Sequence, residues 1–408
     1  TTDHFEYSRR YPENTEIDAM CIYWLADCYF QLKDYTGSIS NYNTFLETPS
    51  KSLLNKMPVL KYNLAYAYFQ SSQYNSSIEY FRKSINSDVD NSRKNDAYLR
   101  IADSYYMMSD FRNARRNYKK AAEMGLFDED YALYQQSKCS DLLSDYKEQE
   151  KVLLYIQSSF QNSVYNSKVL LDLANLYRNL NQNEKAISYY DKILNSSSNE
   201  DILSSSLLNK GLIYYNSDQY EESIKLMKII IIDYSKTQSF KEAKIGLKDA
   251  YLQLGDIDNY LAFINTIPDI NITLTSKDSL TYQSAYNKYQ KEDYLNAKID
   301  FETYLSTFGE ESIFLMDSYF YLSESYWNTK DTIKAINGYK KIFSFDDREY
   351  IEPSTIKLSR YSYSIADYKS SNRYYQKLDS IASNNSLKRE SIIRLMFGYE
   401  EINSELAV

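Results

Sequence analysis

The sequence predicts an all-α protein, an α-solenoid built from about ten helical hairpins. Two amphipathic runs separated by a short polar break recur along the 408 residues, for example as NLYRNLNQNEKAISYYDKIL from Asn175 and GLIYYNSDQYEESIKLMKII from Gly211. The chain also has only 8 glycines and 5 prolines, too few for the many turns of a β-rich fold. Both observations favour helices joined by short turns.

The repeats share a small residue near the middle of the first run, and this residue recurs at intervals of 35 to 39 residues. Ten units can be aligned on it. The small positions are Ala26, Ala65, Ala102, Ser137, Ala174, Gly211, Lys248, Ala285, Ser323 and Ser359.

Each unit predicts two helices that pack through one face. In the first helix, leucine or isoleucine often precedes the small position and tyrosine follows it three residues later, as in Leu173 and Tyr177. In the second helix, a small residue and an aromatic one are four residues apart, as in Ala186 and Tyr190. Spacings of three and four share a helix face. One such hairpin cannot bury its apolar face alone, so it must stack on its neighbours.

This pattern resembles the tetratricopeptide repeat, whose first helix reads W-x2-L-G-x2-Y and whose second reads A-x3-F before a proline. The resemblance covers almost the whole chain, although glycine at the small position survives only as Gly211 and the final proline is mostly Asn or Ser. It implies a right-handed superhelix of hairpins that binds a protein or peptide in its concave groove.

The departures from the pattern set the expected domain organisation. Seven units are predicted in residues 13–267 and three in residues 280–384, with an irregular break or bend at 268–279, because unit seven has Lys248 at its small position and ends early. Residues 1–12 are interpreted as the tail of a truncated upstream repeat, since Pro12 stands where the final proline of a unit belongs. Residues 385–408 are predicted to be the C-terminal helix of a partial or capping repeat.

The composition argues against several classes of partner. The formal net charge is −9 and the pI about 5.0, which disfavours nucleic acid and anionic membrane surfaces. The longest aliphatic run, residues 229–232, is far shorter than the roughly 20 residues of a membrane helix, so no direct membrane insertion is expected. Cys21 and Cys28 lie seven residues apart on one predicted helix, about 10 Å, which is too far for a disulfide.

The sequence predicts no catalytic chemistry. Its single histidine, His4, lies in the terminal segment, so a histidine-based catalytic pair cannot form in the repeats. The common metal-binding and nucleotide-binding motifs are absent from the sequence. We therefore expect a non-enzyme without cofactor or metal, and a protein or peptide partner within a multi-protein complex.

The resemblance also implies where a partner would bind, because recurring first-helix positions line the groove in that family. Rigid aromatic rings at these positions would supply contact area at small entropic cost. Carried over by register, the positions are Tyr23, Asp27, Phe30, Tyr62, Tyr66, Phe69, Leu99, Asp103, Tyr106, Tyr282, Tyr286, Tyr289, Phe320, Glu324 and Trp327. The alternative that these rings pack between units stays open, since 45 tyrosines will occupy every surface.

Some members of that family bind the C-terminal carboxylate of a peptide with Lys, Arg and Asn side chains on successive first helices. Only unit five offers such a set, Lys168, Asn175 and Arg178, and units one to three have Tyr, Asp, Leu or Phe at the matching positions. A carboxylate clamp is therefore not expected.

Two functions remain as hypotheses. The first is a protein-interaction scaffold in a bacterial envelope assembly, because the F-x5-YP ending before unit one looks like periplasmic tetratricopeptide proteins near the outer membrane, such as the BamD-like lipoproteins. The tyrosine- and asparagine-rich composition is similar to Bacteroidota arrays. This hypothesis predicts a periplasmic protein tethered to the outer membrane through an upstream segment. The alternative is the ligand-sensing region of a signalling regulator whose effector module lies outside this sequence. A cytoplasmic location is the alternative to the periplasm, and there the chain would be a cytosolic assembly scaffold.

Overall fold

The predicted all-α repeat solenoid is confirmed by a computed structural model of the chain. The model describes residues 15–47, 59–87, 89–268, 270–345 and 349–406, together with Phe5, Leu53 and Met57. These residues form 21 α-helices and one short 3-10 turn, and no strand occurs among them. Apart from Phe5, the predicted upstream tail at residues 1–12 lies outside the described residues.

The helices follow one another as antiparallel pairs with short turns. In chain order they are α1 (Thr15–Gln31), α2 (Tyr35–Leu46), α3 (Leu60–Gln70), α4 (Tyr74–Ile85), α5 (Asn91–Met107), α6 (Phe111–Met124), α7 (Glu129–Leu142), α8 (Tyr146–Ser159), α9 (Asn166–Asn179), α10 (Asn183–Ser196), α11 (Glu200–Asn216), α12 (Tyr220–Asp233), α13 (Ser239–Leu254), α14 (Ile257–Ile264), α15 (Leu274–Gln290), α16 (Tyr294–Phe308), α17 (Leu315–Asn328), α18 (Thr332–Phe345), α19 (Ile351–Ser364), α20 (Tyr368–Ile381) and α21 (Asn385–Leu406).

The chain divides into two compact units, residues 1–206 and residues 207–408, with the boundary inside α11. In the first unit each helix from α1 to α9 packs on the helix that follows it, and the apolar sides of α1, α2 and α3 share one core that includes Tyr23 and Phe45. In the second unit the cores around Phe301 and Tyr339 are built in the same way from α15–α17 and α17–α20. Stacking of neighbouring hairpins therefore buries the apolar face in each unit.

The repeat register appears in the backbone as a left-handed residue in every hairpin turn. Each of these residues lies seven positions after the small residue of its unit, and each has a φ between 56° and 68°. The small side chains themselves are buried in nine of the ten units. The left-handed residues are Lys33, Ser72, Ser109, Ser144, Asn181, Asp218, Gly255, Glu292, Lys330 and Ala366.

Unit seven is the exception. Lys248 keeps the register, but its side chain is half-exposed and its ammonium lies 3.4 Å from Asp249. The second helix of this unit, α14, has 8 residues, whereas the other second helices have 12 to 15. The segment predicted as a break starts outside helix at Pro268 and becomes helical again at Leu274, where α15 begins. A long side chain at the position of closest helix approach thus accompanies the shortest second helix.

Candidate functional site

The first unit of the chain contains a cavity of about 940 Å³ between the first helices of repeats one and two. We call it the aromatic pocket. It is lined by twelve residues, mainly from α1 and α3, of which the important ones are Phe5, Trp24, Asp27, Phe30, Tyr62, Asn63 and Tyr66. Four of these, Asp27, Phe30, Tyr62 and Tyr66, belong to the groove set predicted from the sequence. The helical register brings them together because α1 and α3 occupy equivalent places in consecutive repeats.

Asp27 is the one charged residue among the twelve described residues that line the pocket. Its Oδ1 accepts hydrogen bonds from the hydroxyl of Tyr42 and from Asn63 Nδ2 at 3.4 Å. Within the described chain its Oδ2 accepts no hydrogen bond, and no lysine or arginine forms an ion pair with it. Burial raises the pKa of Tyr42, so this hydroxyl remains a hydrogen-bond donor.

The contact between Tyr42 and Asp27 recurs through the chain. A fully or nearly fully buried tyrosine of the second helix donates its hydroxyl to an acid or amide that directly follows the small position of the first helix. The pairs are Tyr42 with Asp27, Tyr118 with Asp103, Tyr190 with Asn175, and Tyr339 with Glu324. Where the second helix has Phe81 or Phe301 instead, the first helix has Tyr66 or Tyr286.

These pairs change the interpretation of the predicted groove acids. Asp103 and Glu324 were expected to face a partner, and Asn175 was part of the one clamp-like set in the sequence, although no clamp was expected. Each of the three is held by a buried tyrosine, because a buried hydroxyl needs an acceptor. The sequence shows this pairing. In these repeats, where the first helix has an acid or amide the second helix has tyrosine, and where the first helix has tyrosine the second has phenylalanine. This correlation could have revealed the structural role of the acids.

Beside the pocket lies a polar network that fixes two of its rings. Asp96 accepts hydrogen bonds from the hydroxyls of Tyr62 at 2.8 Å and Tyr66 at 2.6 Å, and Arg100 joins Asp96 to Asp103. Burial, followed by the hydrogen bond to Asp96, raises the pKa of Tyr66 to about 12. Both phenols are therefore neutral donors, and their rings are held in place at the pocket wall. Sequence reasoning missed Asp96 and Arg100, although their spacing with Asp103 places all three on one helix face.

Several other predicted groove residues are parts of the core. Tyr23, Leu99 and Tyr282 are 3%, 0% and 7% exposed, so their side chains contact the protein interior and have no free surface for a ligand. Tyr23 packs edge-on against Tyr42, and Tyr282 stacks on Phe314 with a centroid distance of 4.2 Å. These three side chains therefore pack inside the protein, and the ring of Tyr282 packs between repeats, as the alternative holds.

The remaining predicted rings are half-buried and contact one another. Phe69 lies beside Tyr74 and beneath Arg100, and Tyr106 packs on Phe111. In the second unit, Tyr286 and Tyr289 both contact Tyr321, with centroids 4.8 and 4.9 Å apart. Phe320 stacks on Tyr350 at 4.7 Å, and the Lys357 ammonium lies 4.8 Å from the Trp327 ring centre.

No group of three or more His, Cys, Asp or Glu side chains that could hold a metal ion occurs among the described residues. The three cysteines, Cys21, Cys28 and Cys139, are free thiols, and burial raises the pKa of the Cys139 thiol to about 12. No helix in the described ranges is both long and apolar enough to cross a membrane. The aromatic pocket is thus the site with the clearest binding geometry.

Comparison with known proteins identifies the repeat type. Family models of the tetratricopeptide repeat match residues 60–91, 96–123 and 167–200, which correspond to the hairpins α3–α4, α5–α6 and α9–α10. No curated protein matches the chain in sequence.

Solved structures that resemble the chain include the following three. YrrB, described as a TPR protein with an unusual peptide-binding site, is 16% identical, with a TM-score of 0.38 over 48% of this chain and 93% of that one. PilF of Pseudomonas aeruginosa is 15% identical, with a TM-score of 0.37 over 56% and 98%. A tetratricopeptide repeat protein from Parabacteroides merdae is 14% identical, with a TM-score of 0.33 over 65% and 98%.

Proposed function

The chain is a tetratricopeptide-repeat protein, and we propose that it is a non-enzymatic scaffold that binds a segment of a partner protein in the aromatic pocket. The observation that carries this proposal is the pocket itself, a cavity of about 940 Å³ whose wall is formed by partly exposed rings. Cavities of roughly 300–1,000 Å³ with apolar walls and a few polar groups are typical of ligand sites. This volume would accept one or two side chains of a peptide.

The wall of the pocket is suited to protein side chains because it is rigid and apolar. Tyr62 and Tyr66 are fixed through their hydroxyls, and the ring of Phe30 packs edge-on against Tyr35. Trp24 contacts Tyr23 edge-on, is 46% exposed and contributes accessible ring surface at the rim. A ligand that covers these rings gains apolar burial without ordering the wall, and this favours affinity.

The test is selection of random peptides displayed on phage against the 408-residue chain, followed by measurement of their affinity for variants. We expect the combined substitution Trp24→Ala and Phe30→Ala to weaken the selected peptides at least about tenfold, because truncating buried aromatic anchors costs more than 1 kcal/mol each. The matched control is Phe345→Ala, an exposed aromatic of α18 outside the pocket. Equal affinity for both variants and the wild type would place the site elsewhere and refute the proposal.

We further propose that this scaffold belongs to an envelope assembly near the outer membrane and is periplasmic. The support is the likeness of the F-x5-YP ending and the tyrosine-rich helices to periplasmic tetratricopeptide proteins. Fractionation of the native cells with an antibody to the chain tests it. Recovery with periplasm or outer membrane is the expected result, and recovery with cytoplasmic response regulators or kinases would favour the signalling alternative.

A further inference from the structure

Within the part of the chain that the structure describes, the carboxylate of Asp27 in the aromatic pocket differs from its equivalents Asp103 and Glu324 because no cation is paired with it. Asp103 in repeat three is paired with Arg100, with Nη1 2.6 Å from Oδ2. Glu324 in repeat nine is paired with Lys357, with Nζ 3.4 Å from Oε1. Asp27 occupies the same position in repeat one, one residue after the small residue, and no described lysine or arginine pairs with it.

The repeat register shows what has replaced the two cations. Arg100 stands two residues before the small position of its own repeat, and Trp24 stands at that place in repeat one. Lys357 stands two residues before the small position of the following repeat, and Asn63 stands at that place in repeat two. Both replacements line the aromatic pocket. The site therefore has the carboxylate but no lysine or arginine at either of these two places.

A partly buried carboxylate without a counter-charge is costly, because it has given up water without gaining an ion pair. Its Oδ1 is occupied by Tyr42 and Asn63, and its Oδ2 is available. The rings of Trp24, Phe30, Tyr62 and Tyr66 line the same cavity. The faces of aromatic rings attract cations, and tryptophan does so most strongly. Carboxylate and rings together are complementary to a positive charge on an apolar stem.

We propose that the aromatic pocket recognises a lysine or arginine side chain of the partner segment, with the cation paired to Asp27 Oδ2 and its methylene stem against the rings. The ligand thereby supplies the charge that Arg100 and Lys357 supply inside the protein in repeats three and nine. The inference rests on the proposed function for its setting, since it names the residue class that the scaffold would bind.

The experiment uses the full chain labelled with 5-fluorotryptophan, which gives one fluorine resonance for Trp24 and one for Trp327, the two tryptophans of the sequence. The probes are Nα-acetyl-lysine amide and Nα-acetyl-arginine amide, compared with Nα-acetyl-norleucine amide and Nα-acetyl-glutamate amide at equal ionic strength. We expect the cationic probes to shift the Trp24 resonance saturably, and at least about tenfold more tightly than norleucine amide. Trp327 should not respond, since Lys357 already covers its ring.

Three variants test the role of the charge. Asp27→Asn keeps an acceptor for Tyr42 and should weaken the cationic probes about tenfold. Asn63→Lys reproduces the Glu324–Lys357 arrangement. It should also weaken the cationic probes about tenfold, because the new lysine would pair with Asp27 in place of the probe. Asp201→Asn removes one exposed carboxylate of α11 and is the matched control, which should bind as the wild type does.

Equal binding of norleucine and lysine amides, or unchanged binding to Asp27→Asn with the fold intact by circular dichroism, would overturn the proposal. A failure of every probe to move Trp24 would overturn it as well. None of these outcomes alters the displayed-peptide test, which depends on the rings alone, so the two proposals can fail separately.

Discussion

The substitution Ala366→Gly should stabilise the protein, although it removes a side-chain carbon. Ala366 is the left-handed residue in the turn between α19 and α20, with a φ of 60°, and it is exposed, so the methyl group contributes no packing. An L-residue in this conformation costs about 1–2 kcal/mol. Glycine removes that strain. It also destabilises the folded state by about 0.4–1 kcal/mol, because glycine gives the unfolded chain more conformational freedom. The net expectation is a gain of roughly 0.5–1 kcal/mol.

The assay is native-state hydrogen exchange of the α19–α20 hairpin, because a repeat array need not unfold in one step. A gain of about 1 kcal/mol slows exchange through opening of this hairpin about fivefold. The matched control is Ala382→Gly after α20, where φ is −56° and no strain is present. It should lose roughly 0.5–1 kcal/mol. Faster exchange in Ala366→Gly than in the wild type would refute the argument from backbone strain.

Three further predictions concern the core and the ion pairs. Ala174→Asp places a carboxylate at a fully buried position and should cost about 3–5 kcal/mol in urea denaturation. Arg100→Met leaves two nearly buried aspartates without their cation and should cost about 2–3 kcal/mol by the same measurement. The hydrogen bond from Arg360 lowers the pKa of Glu390 below its usual 4.5, so the stability from this pair is present above pH 4.5 and is lost as the pH falls through the lowered pKa. The opening constant of α21, obtained from hydrogen exchange after division by the intrinsic rate at each pH, should therefore rise in acid, by less than about fivefold because Arg360 is 56% exposed.

Each of these has its own control. Ala174→Ser should be tolerated, since serine fills the same buried position as Ser323 and Ser359, and an unchanged midpoint for Ala174→Asp would show that the register is wrong. A fully stable Arg100→Met would mean that the network contributes no net stability. Glu390→Gln should remove the acid dependence of α21, and an unchanged dependence in that variant would assign it to other carboxylates.

Much of the fold could be predicted because it is periodic and local. The spacing of small and aromatic residues identified every repeat, and the left-handed turn residues keep the same intervals as the small ones. The candidate site was predicted only in part. Position in the register selected Phe30 and Tyr66, which line the pocket, and also Tyr23, which is buried. A helical period tells which side of a helix a residue occupies, and it does not tell how deeply the neighbouring helix covers that side.

The sequence by itself determined the helical hairpins, their order and their register, since these follow from interactions within about forty residues and from the stacking that each apolar face requires. Only the tertiary structure decided which polar groups are satisfied. Whether the carboxylate at a given position meets Arg100, Lys357 or no cation depends on side chains that meet across neighbouring helices and repeats. Electrostatic pairing is short-ranged and depends on burial, and for this reason Asp27 differs from Asp103 although the two share one place in the repeat.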